Sequence, residues 1–269
     1  MLGVETAHSP NADDLNALYV AMLGIAGALV LVINLLLVGL ALRFRARRGR
    51  EPRRLKTRGF AQLGTAAVFT ALMAFLFVVA LITTREASEV EASGSEGLEA
   101  AAQRTAQRGL DLPSAEGAPA PLEIDATGQQ WIWRYEYPDG TFSYYELVVP
   151  VDTAVVVKLA STDVVHRWWV PGLGGKFDAV PGQSNQTWFK VEPEELGDDG
   201  EATYDGASYA FSGPSYAAMR TRVRIVDVPT YEAWLEEQAA GIQEAQAFVQ
   251  EQIAAGEGSG PPAAEGGGE

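Results

Sequence analysis

Two long apolar runs dominate the first third of the chain. Residues 15–42 carry no charged side chain, and neither do residues 59–84. Each run exceeds the roughly 20 apolar residues a helix needs to cross a hydrocarbon core of about 30 Å. The pattern predicts a transmembrane hairpin over 15–85, with helices at about 15–42 and 59–84. A short lead, 1–14, precedes it. Residues 86–121 are rich in Glu, Ala, Ser, Gly and Pro, a composition that predicts a mobile linker. It has room for a helical piece near 97–108.

From residue 122 the pattern shortens. Segments 130–137, 144–149, 154–159, 167–170, 186–191 and 220–226 are rich in Val, Tyr, Trp, Phe and Thr. Turn signals punctuate them: Pro138-Asp139-Gly140, Pro181-Gly182 and Asp198-Asp199-Gly200. Short strands at this spacing predict a β-sandwich or barrel over 122–228. Segment 220–226 alternates strictly, with Thr221, Val223 and Ile225 against Arg220, Arg222 and Arg224, so one face is buried and the other wet. A C-terminal helix is expected over 229–255, with Thr230 as its N-cap and Glu232 in its first turn. Trp234, Leu235, Ile242, Phe248, Val249 and Ile253 are its apolar positions. A disordered tail, 256–269, is expected to follow.

Charge orients the hairpin. The loop 43–58 holds nine bases (Arg43, Arg45, Arg47, Arg48, Arg50, Arg53, Arg54, Lys56, Arg58) against Glu51. Basic loops stay in the cytoplasm, so both termini and the β-domain are expected on the outer side of the plasma membrane. Residues 1–42 lack Lys and Arg, unlike the basic start of a signal peptide. Residues 59–269 hold 11 bases against 31 acids, which argues against a nucleic-acid partner.

The chain has no cysteine. That excludes disulfides, iron–sulfur clusters, thioether-linked haem and thiolate metal sites. Two histidines, His8 and His166, do not make a zinc site unaided. No phosphate loop or nucleophile elbow is present, and no catalytic residue is expected on this chain.

Three segments carry an identity. The first is Gly128-Gln129-Gln130-Trp131-Ile132-Trp133-Arg134-Tyr135-Glu136-Tyr137-Pro138. The second runs Ser161-Thr162-Asp163-Val164-Val165-His166-Arg167-Trp168-Trp169-Val170-Pro171 and continues to Lys176-Phe177-Asp178-Ala179-Val180-Pro181-Gly182. The third is Gly206-Ala207-Ser208-Tyr209-Ala210-Phe211-Ser212-Gly213-Pro214-Ser215-Tyr216-Ala217-Ala218-Met219. Together they resemble subunit II of the haem-copper respiratory oxidases. The resemblance implies a cupredoxin β-sandwich behind a two-helix hairpin.

It also implies where that family's dinuclear copper centre, CuA, would sit. His166 and Met219 match ligand positions. Ser208 and Ser212 stand where the family has bridging cysteines, Ala210 where it has a glutamate, and Tyr216 where it has a second histidine. A serine hydroxyl does not replace a bridging thiolate, so no cofactor is expected on this chain, with haems and copper in subunit I. His166 is expected as a surface histidine bonded to a neighbour, Met219 as core packing. Tyr209, Phe211 and Tyr216 are expected to fill the space left by the coppers.

Trp131, Trp133, Lys176 and Asp178 are candidates for subunit docking or a vestigial electron entry; the resemblance implies that Asp178 pairs with an arginine of subunit I or lies on a water exit path. Helix two lacks the Glu, Trp and Pro with which relatives begin it; Gln62 is its nearest polar residue. Three functions follow as expectations. One is a copper-free structural subunit of a quinol-oxidising complex, beside subunit I and subunit III. Another is a cytochrome c oxidase subunit whose electrons bypass this domain. The last is a membrane-tethered binding or assembly module.

Overall fold

A computed structural model describes residues 6–43, 59–94, 97–98 and 121–254. The basic loop, the expected helical piece beyond residue 98 and the tail 256–269 lie outside them.

Helix α1 spans Pro10–Arg43 and α2 spans Gly59–Ser88. Both are long and apolar enough to cross a membrane. At about 1.5 Å per residue, the 34 residues of α1 exceed the bilayer core. Its first turn meets the β-domain, and the helix begins at Pro10, before the expected residue 15. The His8 N–H donates to the Gly172 carbonyl at 2.8 Å. Asn11 Nδ2 donates to the Trp188 carbonyl at 2.8 Å, and Ser9 Oγ accepts from the Lys190 N–H at 3.3 Å.

The start of the expected linker is also fastened. The Gly94 N–H donates to the Asp152 carbonyl at 2.8 Å. Ser93 Oγ accepts from the Ala154 N–H, and the Leu98 N–H donates to Thr153 Oγ1, each at 3.0 Å. The Leu98 side chain is buried. Buried polar groups on the Asp152–Ala154 turn find partners here, which is why this stretch is not free chain.

Ten strands follow: β1 Leu122–Gln129, β2 Ile132–Glu136, β3 Phe142–Tyr144, β4 Glu146–Pro150, β5 Val155–Ser161, β6 His166–Trp169, β7 Phe177–Ala179, β8 Asn185–Phe189, β9 Ala202–Ser208 and β10 Arg220–Val226. They form two five-stranded sheets, β3-β2-β1-β5-β8 and β4-β10-β9-β6-β7. The inner faces enclose one core, with Trp133, Tyr135, Leu147, Leu159, Trp168, Phe189 and Ile225 fully buried. The alternation expected of 220–226 holds: Thr221, Val223 and Ile225 are buried.

The chain changes sheets at one residue. Segment 144–149, expected as one strand, is broken at Tyr145, whose φ is 69°. β3 belongs to one sheet and β4 to the other. A non-glycine residue at positive φ is strained. Tyr145 is held there by a bond from its N–H to the Trp133 carbonyl at 2.9 Å and one from the Arg222 N–H to its own carbonyl at 3.0 Å.

Helix α3 spans Val228–Ala254. Its cap is Asp227 rather than the expected Thr230: Asp227 Oδ1 accepts from the Thr230 N–H at 2.9 Å. The Thr230 side-chain and backbone bonds hold the Asp227 carboxyl below its ordinary range. Trp234 packs edge-on against Tyr137, ring centroids 5.1 Å apart. Phe248, Val249 and Ile253, apolar positions of the expected packing face, are exposed.

Candidate functional site

The three singled-out segments meet at one end of the sandwich. β6 carries His166 and pairs with β9 so that Trp168 stands opposite Ser208. The Ser208 N–H donates to the Met219 carbonyl at 2.8 Å, which brings the start of β10 beside the end of β9. The β1–β2 turn contributes Trp131 and Gln130. Both donate to the Ser212 carbonyl, from Trp131 Nε1 at 3.0 Å and Gln130 Nε2 at 2.6 Å.

His166 is fully buried, which corrects the expectation of a surface histidine. The reason is a missing side chain in the other sheet. A Cβ on Gly128 would lie 2.9 Å from His166 Cδ2 and 3.1 Å from Trp133 Cζ3, so only glycine there leaves room for the ring. The expected bond to a neighbour is present: His166 Nε2 lies 2.9 Å from Asp163 Oδ1.

Asp163 fixes the tautomer. Burial raises its carboxyl pKa, but bonds from the Gln130 and Val164 N–H groups and from His166 outweigh that and lower it to about 2. The ionised carboxylate only accepts, so His166 Nε2 carries a proton toward it and Nδ1 faces away. That Nδ1 and the hydroxyl of Ser212 are buried without a hydrogen-bond partner among the described residues. Ser208 Oγ accepts from the Arg167 N–H at 3.2 Å.

A depressed carboxyl has a consequence for stability. Its contribution is fully present above the ordinary aspartate range, near 3.9, and is lost as pH falls through about 2. Asp163→Asn is therefore expected to melt lower than the parent at pH 7, with the gap closing between about pH 4 and pH 2. Thermal melts across that range check this; a gap independent of pH would contradict it.

Met219 is fully buried, as expected. Tyr209, Phe211 and Tyr216 do not fill an interior space: Phe211 is 81% exposed and Tyr209 50%. β9 ends at Ser208, and the loop beyond it turns these rings outward. Phe211 packs on Tyr216 at 5.3 Å and Tyr209 on Trp169 at 4.7 Å. Ala210 is half-buried in the same loop.

Trp133 is fully buried, its ring 6.0 Å from that of His166. It is a core residue, which corrects its place among candidate docking positions. Asp178 has an arginine on this chain. Antiparallel β6 and β7 put Arg167 opposite Asp178, and Arg167 Nη2 donates to Asp178 Oδ2 at 3.1 Å. The bond from Arg167 lowers the Asp178 carboxyl pKa. Lys176 Nζ sits 4.0 Å over the Trp169 ring, a cation–π contact. Among the described residues, no three His, Asp or Glu side chains converge as metal ligands.

Hairpin, two-sheet sandwich and C-terminal helix define a membrane-anchored protein with a cupredoxin-like domain. The sequence matches the family "Cytochrome C oxidase subunit II, periplasmic domain" over residues 142–211. It is 30% identical to cytochrome c oxidase subunit 2 of Cereibacter sphaeroides, over 50% of this chain and 53% of that protein. It is 33% identical to the subunit 2 of Alkalihalophilus pseudofirmus, over 49% of this chain and 37% of that one. The chain thus spans about half, or less, of the length of these curated relatives. The solved periplasmic domain of subunit II (CoxB) of Bradyrhizobium japonicum is 30% identical over 96% of its own length and 45% of this chain, with a TM-score of 0.41. The chain belongs to the subunit II family of the haem-copper oxidases.

Proposed function

We propose that this chain is a copper-free, structural subunit II of a haem-copper terminal oxidase that draws its electrons from a membrane quinol. One observation carries the reading: neither position of the bridging thiolates can supply one. Ser208 and Ser212 occupy them, and the chain has no cysteine elsewhere to substitute. Two soft, charged sulfur donors hold such a centre together, and two neutral hydroxyls do not fit it. The surroundings agree. Ser208 Oγ is engaged with backbone, and Tyr216 packs on Phe211 in an exposed loop.

On this reading the sandwich caps the haem-bearing subunit I, with subunit III beside it and both termini on the outer side. The bonds from residues 8–11 to the domain support the last point, since they put the start of α1 on the domain's side. Trp131, Lys176 and Asp178 lie on the surface that would meet subunit I. Oxygen reduction and proton movement belong to the partner.

The relatives are named cytochrome c oxidase subunit 2, and this favours a second reading in which cytochrome c is the donor and electrons bypass this domain through another subunit's haem. Oxygen uptake by the purified complex separates the two. Turnover with reduced quinol and none with reduced cytochrome c is expected; turnover with cytochrome c alone would refute the quinol reading.

A further inference from the structure

A pocket of about 200 Å³ lies where the outer ends of α1 and α2 meet the sandwich. Leu15 from α1, Thr84 and Ser88 from α2, and Phe177, Gln186 and Trp188 from the β-domain line it. None of its lining residues is charged. Its height is set by the hairpin: the apolar span of α2 ends at Arg85, so the pocket opens at the boundary between lipid and water.

The polar groups of the wall are selective. Thr84 Oγ1 donates its proton to the Ala80 carbonyl at 2.7 Å, and Ser88 Oγ donates to the Arg85 carbonyl at 2.8 Å. With those protons committed, both oxygens have only lone pairs to offer. They suit a ligand that brings O–H donors. A phosphate group would want cations or clustered N–H groups, and the wall has no cation. The aromatic rings of Phe177 and Trp188 supply the apolar remainder.

We propose that this pocket binds the hydroquinone head of a membrane quinol, its tail running into the bilayer beside α1 and α2. The assignment rests on the quinol-oxidising reading above. It concerns binding alone, and no electron moves on this chain. The committed hydroxyls accept from the O–H groups of the reduced diol, and the side-chain amide of Gln186 can meet a ring oxygen in either redox state.

The test uses the full chain in phosphatidylcholine nanodiscs and a short-tailed azido-quinol as photolabel. Saturable labelling is expected on peptides holding residues 84–90 or 186–188. Ser88→Trp, which fills the pocket from an exposed position, is expected to cut labelling at least tenfold. Thr203→Trp, at an exposed position of β9 outside the pocket lining, is expected to leave it unchanged. Gln186→Ala serves if Ser88→Trp does not melt like the parent; it is expected to weaken labelling severalfold. Labelling unaffected by either pocket variant, or displaced equally by diacylglycerol, would overturn the assignment. In the complex, quinol turnover with an unchanged KM in Ser88→Trp would overturn the pocket while leaving the quinol-oxidising role intact. Pocket-dependent labelling in a complex that turns over only cytochrome c would uphold the pocket and overturn that role.

Discussion

Tyr137→Phe is expected to destabilise the β-domain by about 2–5 kcal/mol, the cost of leaving two buried polar groups unpaired. The hydroxyl does two jobs. It donates to the Val148 carbonyl at 3.0 Å and accepts from the Val148 N–H at 2.9 Å. β4 is the edge of its sheet, so Val148 has no strand on that side to satisfy either group. Water does not reach it, because Tyr137 and Val148 are both buried. Burial raises the Tyr137 phenol well above its ordinary pKa, so the group stays a neutral donor throughout the physiological range. Phenylalanine keeps the shape and loses both bonds. The melting temperature of the purified chain should fall by roughly 10 °C or more. A loss under about 1 kcal/mol would mean that Val148 finds other partners.

Installing the four ligand types that the resembled motif has and this chain lacks is expected to build a copper centre. The variant is Ser208→Cys, Ala210→Glu, Ser212→Cys and Tyr216→His. The spacing from Gly206 to Met219 matches that of the resembled motif, so no insertion is needed. Met219 is already buried, and the buried Nδ1 of His166 has no hydrogen-bond partner among the described residues. The variant should take up two coppers per chain and show intense visible absorption from copper–thiolate bonds. The parent should show neither, and the two cysteines alone should bind copper more weakly. Failure of the fourfold variant to bind would mean that the loop after β9 has repacked and its positions no longer converge.

The features that sequence made legible share a property: they repeat. The two apolar runs gave α1 and α2 because nothing charged interrupts them. The strict alternation of 220–226 marked β10, and the glycines of the three turn signals, Gly140, Gly182 and Gly200, all have positive φ. What stayed hidden depends on a second segment. β9 reads Ala-Thr-Tyr-Asp-Gly-Ala-Ser, too small and polar to signal a strand until β6 and β10 flank it. The burial of His166 depends on Gly128, distant in sequence and in the opposite sheet. Asp178 found its arginine through the β6–β7 register, which the spacing of residues 167 and 178 does not announce. At the candidate site the residue identities were readable, but the direction of the loop's aromatic rings was not.

Among the described residues, the domain is hydrogen-bonded at two places to segments that flank the hairpin, and that has a mechanical meaning. A body on a single leash can tumble. One pinned at two separated points can only rock about the line between them. Residues 8–11 hold the Gly172 and Trp188–Lys190 side of the sandwich, while Ser93, Gly94 and Leu98 hold the Asp152–Ala154 turn. The first pin continues into α1 and the second descends from α2, so the two helices work as a pair of struts. Pulling the domain away from the membrane has to break both pins, and tilting it loads one against the other.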